Sequence, residues 1–482
     1  MAVGLAALVA AAAMLLSGSS RSDPETPTGV PGLPPPFLGV AVLGDGELTA
    51  AVDAYGSVVD MRAPGPAGQA LIENSAERQA AGTVAPDTGI QVWARVDGEM
   101  VPIWRANEVR QRYLPGTNVL RTVARFEPER VRIDEAIRED KLAVIASGSG
   151  AQLRAYEAGR FVTKSPEVLA NAAAADRRWL SRALPLGKAA PPWAMDMYER
   201  SLLVLRALTS RENGAVAAGA RDGWAYVWPR DASAVSIALA DSGYEPEPER
   251  IVQFLLGAGI EFAARFNGDG SPVPGRKAQG DAIGWVAAAS EAAGIGNARQ
   301  AAHILAGGEP IPWRDRADYW EGEPGDYLGN ALASGEPAIR HLYGAKMPAR
   351  LVRTPGDPES GLDSAAAWAV RPFSQPRLYP AARRTTKRLV AEGTPFGITP
   401  GEGWQGGEDP WSAPTAWTAW SLAALGERQQ ALQLMQALRR SATSAGALPE
   451  RVDAQTGVPR STTPLAWSHA FAILALRELW PS

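Results

Sequence analysis

The apolar pattern of this 482-residue chain changes period partway along, and that change limits the folds open to it. From about Phe37 to Gly150, short alternating runs are broken by turns. LTAAVDAYGSVVDMRA, GIQVWARVDG, NVLRTVARFEP and KLAVIASGSG each read as strands or hairpins. Beyond about residue 190 the apolar spacing moves to near 3.6. It does so in AMDMYERSLLVLRALTS, ASAVSIALADSG, PERIVQFLLGAGIEFAARF, DAIGWVAAASEAAG, LDSAAAWAVRPF, AARRTTKRLVAEG, PTAWTAWSLAALG, ERQQALQLMQALRRSA and LAWSHAFAILALREL. Weaker segments at 296–307 and 326–344 bring the helical segments close to twelve. Many are apolar on more than one side, as helices enclosed by a second layer must be. The expected fold is multidomain. An antiparallel β-sandwich over 37–160 is followed by a linker helix and joint over 161–192, which ends in PLGKAAPPW. An all-α domain over 193–482 then follows, compatible with an (α/α)6 barrel.

The first twenty residues stand apart from this plan. Ala2 to Leu16 are almost wholly Ala, Val and Leu, and the small polar SGSS follows. The run is short for a bilayer span and reads as an export signal or a membrane anchor, although basic residues before it are lacking. Residues 21–36 read as a Pro-rich linker. The expected location is extracytoplasmic, either secreted or held at the outer face of the membrane. A lipoprotein anchor is excluded, because there is no cysteine to acylate.

Composition removes several chemistries. A net charge of −4 without a long basic run argues against nucleic acid as a partner. The absence of cysteine rules out thiol catalysis, Cys-ligated zinc and disulfides. The three histidines, His303, His341 and His469, have no His partner at metal spacing. Acid–base work therefore falls to carboxylates, and neither a metal nor a cofactor is called for. Tryptophan is plentiful, and all but Trp93, Trp104 and Trp179 lie beyond residue 190. Trp417 and Trp420, inside TAWTAWSLAAL, read as core. Trp228, Trp320, Trp404 and Trp411 lie in Gly- and Pro-rich loops, where flat aromatic surface beside acids suits the apolar faces of pyranose rings.

Five loops carry the polar candidates. In GWAYVWPRDA, Arg230 and Asp231 offer a donor fork and an acceptor side by side, suited to adjacent hydroxyls; Asp231 could equally be a helix cap. In AQGDAIGW, Gln279 and Asp281 precede a helix start, where Asp281 too could be a cap. In ADYWEGEPGD, Glu321 follows Trp320, whose indole could desolvate the carboxyl, with Glu323 as its rival. PGEGWQGGEDPW, with Glu402, Glu408 and Asp409, reads as a binding rim. In GALPERVDAQTGVPRSTTPLAWSHA, Glu450 lies in a Pro-framed loop ahead of an apolar helix.

YVWPRD, QGDAIGW, DYWE, GGEDPW and LPE…PLAWSHA occur in the order that resembles glucoamylase-type glycoside hydrolases (glycoside hydrolase family fifteen), in particular the bacterial members. LGDGELTAAVDAYGSVVDMRAP and YLPGTNVLRTVARF resemble parts of that family's N-terminal sandwich, so the resemblance covers nearly everything after residue 37. It implies an inverting, exo-acting α-glycosidase that releases terminal glucosyl units from α-glucans or α-glucosides. Glu321 would be the general acid and Glu450 the general base. Arg230 and Asp231 would grip the terminal sugar, with Tyr226, Trp228, Gln279, Asp281, Trp320, Trp404 and Trp467 completing the substrate site. His469 reads as a packing residue. Two departures stand out: Gly322 occupies the place of a second acid, and Thr399 and Pro400 stand where many members carry an Arg-Tyr pair. Trehalose and dextran-type linkages stay open as substrates. A non-catalytic glycan-binding or cell-envelope protein on the same fold is the competing reading. The expected partner is an oligosaccharide or polysaccharide, and the expected state a monomer.

Overall fold

The computed structural model describes residues 39–73, 88–221, 223–295 and 313–482. The expected signal or anchor, the Pro-rich linker and the weak helical segment at 296–307 lie outside the described residues. The first part contains strands β1 (Ala41–Gly44), β2 (Thr49–Val52), β3 (Val58–Ala63), β4 (Gln69–Ile72), β5 (Ile90–Val96) and β6 (Glu99–Pro102). They are followed by β7 (Glu108–Tyr113), β8 (Leu120–Arg125), β9 (Arg130–Arg138), β10 (Lys141–Ser147), β11 (Gln152–Ala155) and β12 (Val162–Thr163). One sheet runs β1-β2-β3-β5-β11, with β4 beside β3 and β6 beside β5; the other runs β12-β10-β9-β8-β7. The period-two pattern explains the packing, since Leu43, Met61 and Ile90 of one sheet share a buried cluster with Leu120, Ile133 and Leu142 of the other. The expectation of a purely antiparallel arrangement needs one correction: β12 runs parallel to β10. Asp60 on β3 is buried and accepts from Arg62 Nε at 3.0 Å.

Two further acids lie deep in this region. Asp53 turns the chain between β2 and β3, with its Oδ1 accepting from the backbone N–H of Tyr55 and of Ser57, each at 2.8 Å. Glu135 on β9 is fully buried, and neither of its carboxyl oxygens has a hydrogen-bond partner among the described residues.

Helix α1 (Pro166–Leu180) packs on β9 and β10. The remaining helices are α2 (Pro192–Ala207), α3 (Pro229–Asp241), α4 (Pro246–Gly257), α5 (Ala282–Ala292), α6 (Leu328–Ser334), α7 (Glu336–Tyr343), α8 (Tyr379–Glu392), α9 (Ser412–Ala424), α10 (Arg428–Ser441) and α11 (Ala466–Leu479). Proline opens α2, α3 and α4, where its missing N–H is no loss. Helices α3, α9 and α11 are buried on nearly every side, which accounts for their Ala-rich, apolar-all-round sequences. By contrast, α4, α8 and α10 bury a single stripe. Contacts run from α11 to α3, on to α5, α6, the 3₁₀ turn Ser364–Ala369 and α9, and back to α11. Six inner segments therefore touch in a closed cycle, with the one-sided helices outside.

Local breakers explain where the helices differ from expectation. The segment PERIVQFLLGAGIEFAARF is helical only to Gly257, since Gly259 takes a left-handed φ of +65°. The 326–344 segment splits in two at Gly335, φ +87°, with Pro337 opening the next helix. LDSAAAWAVRPF supplies only the 3₁₀ turn Ser364–Ala369.

The two regions are sewn together. Arg200 of α2 donates to Asn118 Oδ1 at 2.8 Å and lies 3.6 Å above the Tyr113 ring. Ala445, in the loop after α10, belongs to the buried cluster of the sheets, and Thr443 Oγ1 donates to the Val40 carbonyl at 3.0 Å.

Candidate active site

The N-terminal ends of the inner segments gather around a cavity of about 380 Å³. The turn before α3 brings Trp224, Trp228, Arg230 and Asp231 to its wall, and the loop before α6 brings Tyr319, Trp320 and Glu321. Trp404 and Trp411 come from the glycine-rich loop before α9, and Glu450, Ser461, Leu465 and Trp467 from the stretch leading into α11. Helix N-termini bring unpaired N–H groups and partial positive charge to this end of the domain. The tryptophans form a continuous edge-to-face series. Trp320 lies 5.0 Å from Trp404, and Trp404 lies 5.2 Å from Trp411. The indole N–H groups of Trp320, Trp404, Trp411 and Trp467 have no hydrogen-bond partner among the described residues. Polar groups left unpaired inside a fold are uncommon, and here they cluster on one aromatic wall.

Glu450 is half-buried. Trp224 Nε1 donates to its Oε1 at 3.2 Å, and the Ser461 hydroxyl donates to its Oε2. Burial pushes the carboxyl above the ordinary glutamate range. Hydrogen bonds from Ser461 and Trp224, and the charges of Arg451 and Arg221, oppose that rise. The loop is pinned from behind by His469, fully buried, whose Nε2 accepts from the Leu448 backbone N–H at 2.9 Å. Its Nδ1 faces Ser201 Oγ, also at 2.9 Å. Burial, with Arg200 nearby, pushes this imidazole down to about 3, so it is a neutral acceptor and no proton carrier near neutral pH.

Arg230 is buried between acids. Its Nη1 donates to Gln279 Oε1 at 2.5 Å and to Asp281 Oδ2 at 3.1 Å, and its Nη2 lies 3.6 Å from Asp231 Oδ2. Burial pushes Asp231 up to about 7; Arg230 opposes this, while Asp281 and Glu450 add to it. Asp281 is raised in the same way, by burial against the pull of Arg230. Neither aspartate caps a helix through its side chain. Trp228 holds the N-cap place of α3, and Asp281, at the N-cap of α5, turns its carboxylate to Arg230.

Glu321 is exposed and ion-paired with Arg276. Its φ of +61° is a left-handed conformation that a residue with a side chain adopts at a cost. Its rival Glu323 points outward, pairs with Lys277 and does not line the cavity. The tyrosine two residues before Glu321 anchors the loop, with Tyr319 Oη donating to Asp363 Oδ1 at 2.6 Å.

The cavity thus brings together Glu321, Glu450, Trp228, Arg230, Asp231, Trp320, Trp404 and Trp467. It does not include Tyr226, Gln279 or Asp281 in its lining. Tyr226 packs edge-on against Trp228 at 6.3 Å, and the other two hold Arg230 from behind. Sequence reasoning missed Trp224, Arg221, Arg276, Arg451, Arg460 and Ser461 as wall residues, while Trp411, read as a sugar-facing loop tryptophan, does line the cavity. Trp224 lies within the GWAYVWPRDA motif and Ser461 close after Glu450, so those two carried a positional signal. Arg276 carried none. Among the described residues, no group of three or more His, Cys, Asp or Glu is placed to hold a metal ion.

Known structures share this architecture. A bacterial glucoamylase in complex with acarbose aligns over 95% of this chain and 96% of its own, with a TM-score of 0.66 and 13% identity. A wild-type glycosidase aligns over 63% of this chain and 98% of its own, with a TM-score of 0.52 and 20% identity. A glycosidase variant in complex with glucose gives the same TM-score of 0.52 at 19% identity, over 63% of this chain and 98% of its own. At such identities the likeness is one of fold. No protein-family model matches the chain, and no curated protein matches it in sequence.

Proposed function

We propose that this protein is a glycoside hydrolase, an inverting, exo-acting α-glycosidase that releases terminal glucosyl units from α-glucans or α-glucosides. The observation that carries the reading is the meeting of Glu321, Glu450 and the Arg230–Asp231 pair on one tryptophan-walled cavity, of a size usual for a small-molecule site. In this mechanism the Glu321 carboxyl gives its proton to the glycosidic oxygen as the C1–O bond breaks. Glu450 takes a proton from a water that attacks C1 from the opposite face, so the new hydroxyl has the inverted anomeric configuration. The Ser461 and Trp224 donors hold Glu450 as an oriented carboxylate, and its partial burial strengthens it as a base. Arg230, fixed by Gln279 and Asp281, and Asp231 bind hydroxyls of the terminal sugar, with indole faces packing its apolar surfaces.

The rest of the reading goes with it. The closed cycle of inner segments is the inner ring of an (α/α)6 barrel, preceded by a β-sandwich, with the chain divided at 37–160, 161–192 and 193–482. We read the protein as an extracytoplasmic monomer acting on an oligosaccharide or polysaccharide. One observation favours a second reading, a glycan-binding protein without turnover: Glu321 is exposed and held by Arg276.

Proton NMR of the sugar released from maltotriose, isomaltotriose and trehalose tests both. Early β-glucose is expected from at least one of them and identifies the linkage. Early α-glucose overturns the mechanism. Binding without release from any of them favours the second reading.

A further inference from the structure

The cavity wall carries five guanidiniums, Arg221, Arg230, Arg276, Arg451 and Arg460, against three carboxylates, Asp231, Glu321 and Glu450. Most of these cations have anchors other than the two reacting carboxylates. Arg230 is held by Gln279 and Asp281, Arg451 by Asp409 at 2.8 Å, and Arg460 by Asp453, while Arg221 stands 5.0 Å over the Trp224 ring. Arg276 differs, because its carboxylate partner is Glu321 itself. A general acid must begin each cycle as a neutral carboxyl, and a neutral carboxyl no longer balances a guanidinium. Arg276 stands 5.7 Å over the Trp228 ring and feels the like charge of Arg265, whose own guanidinium lies 5.6 Å from that ring. Glu450 also attracts Arg276, but the reaction commits that carboxylate to the attacking water.

The space beside the acid is cationic as well. Gly322 brings no side chain, and a Cβ there would lie 2.7 Å from Arg353 Nη2. That guanidinium is fixed by Asp318 at 2.8 and 3.1 Å and lies 4.2 Å over Trp320. In the state ready for reaction, the Glu321 side of the cavity therefore presents a guanidinium whose one ion-pair partner among the described residues has become neutral.

We propose that the leaving group carries a carboxylate and that Arg276 recognises it, so that the substrates are α-glucosides of sugar acids or other hydroxy acids. The planar fork of one guanidinium matches a carboxylate in both geometry and charge. The proposal rests on Glu321 being the acid of the reaction above. It supplies what that reading leaves open, the class of compound on the far side of the scissile bond. The substrate carboxylate takes over the guanidinium that pairs with Glu321.

Matched open-chain substrates test it. Maltobionate and maltitol share the α-1,4 bond, isomaltobionate and isomaltitol the α-1,6 bond, and each pair differs in a carboxylate on the leaving group. The expected kcat/KM is at least roughly tenfold higher for the acid of the cleaved pair, as one charge-assisted hydrogen-bonded contact provides. That preference should shrink in rising salt. Arg276→Gln should remove it mainly through KM for the acid, and Arg276→Lys should restore part of it. Equal rates on acid and neutral substrate, or a preference that survives Arg276→Gln, overturn this proposal while leaving the hydrolase reading intact. If all four compounds and the neutral sugars named above are inert, the hydrolase reading falls and this proposal falls with it.

Discussion

Both halves of the molecule bury carboxylates, but in different company. In the sheets, Asp53 is pushed up to about 7 by burial and Glu135 well above its ordinary range, and neither has an arginine bonded to it among the described residues. In the helical half, Asp231 and Glu450 are raised for the same first reason, yet each faces a cavity and is balanced by guanidiniums or hydrogen-bond donors. A displaced titration therefore does not by itself mark an active site. The distinguishing features are access from solvent, donors that hold the charged form, and a second acid on the same wall. The sheet acids have the displacement without the access.

The sharpest test of this contrast swaps one carboxyl for an amide in each half. Glu450→Gln should cut turnover by about a thousandfold, in the range for loss of a positioned base, with the melting temperature nearly unchanged. Glu135→Gln should keep turnover and alter only stability. Comparable activity losses in the two variants would erase the distinction.

A smaller effect concerns pH. Because folding raises the Asp53 value from 3.8 to about 7, the folded state holds a proton that the unfolded chain releases between those values. Its stabilising effect is complete below pH 4 and is lost as pH climbs towards 7, at no more than about 1.4 kcal/mol per pH unit. Asp53→Asn keeps the oxygen that accepts from Tyr55 and Ser57 but removes the titration. Its melting temperature should therefore fall less than that of the parent between pH 4 and pH 7. Parallel melting curves across that range would show that Asp53 does not titrate there.

The smallest effect is expected for Ser461→Ala, which removes one of the two side-chain donors on Glu450. Losing a hydrogen bond to the charged form raises the carboxyl further, so the acid limb of kcat/KM should move to higher pH, with less than about a tenfold loss at the optimum. An unmoved limb would mean that Ser461 does not govern the state of the base.

Much of the fold was legible in the sequence because period and punctuation are local properties. The switch from alternating to 3.6-residue spacing separated sheets from helices, and the Pro-framed loops pointed to Glu450, Arg230 and Asp231. Local reading failed where a breaker outweighed the period, as at Gly335. It also could not register contacts made across the chain. Trp224 and Glu450 are 226 positions apart, and only the closed helical arrangement brings them to 3.2 Å. Gln279 and Asp281 were found as polar residues near the site, but their orientation towards Arg230 rather than the cavity depends on how α3 and α5 pack.

Five residues before Glu450, Ala445 is embedded in the core of the sheets, and Thr443 is tied to Val40. The sheets are thus a jig for the Glu450 loop as much as a neighbouring layer. The loop that carries Glu450 is clamped at one end by the strands and at the other by His469 of the last helix. A helical fragment made alone would keep the aromatic wall and the arginine fork but release the near clamp. Such a fragment would keep its pocket while Glu450 lost its fixed position.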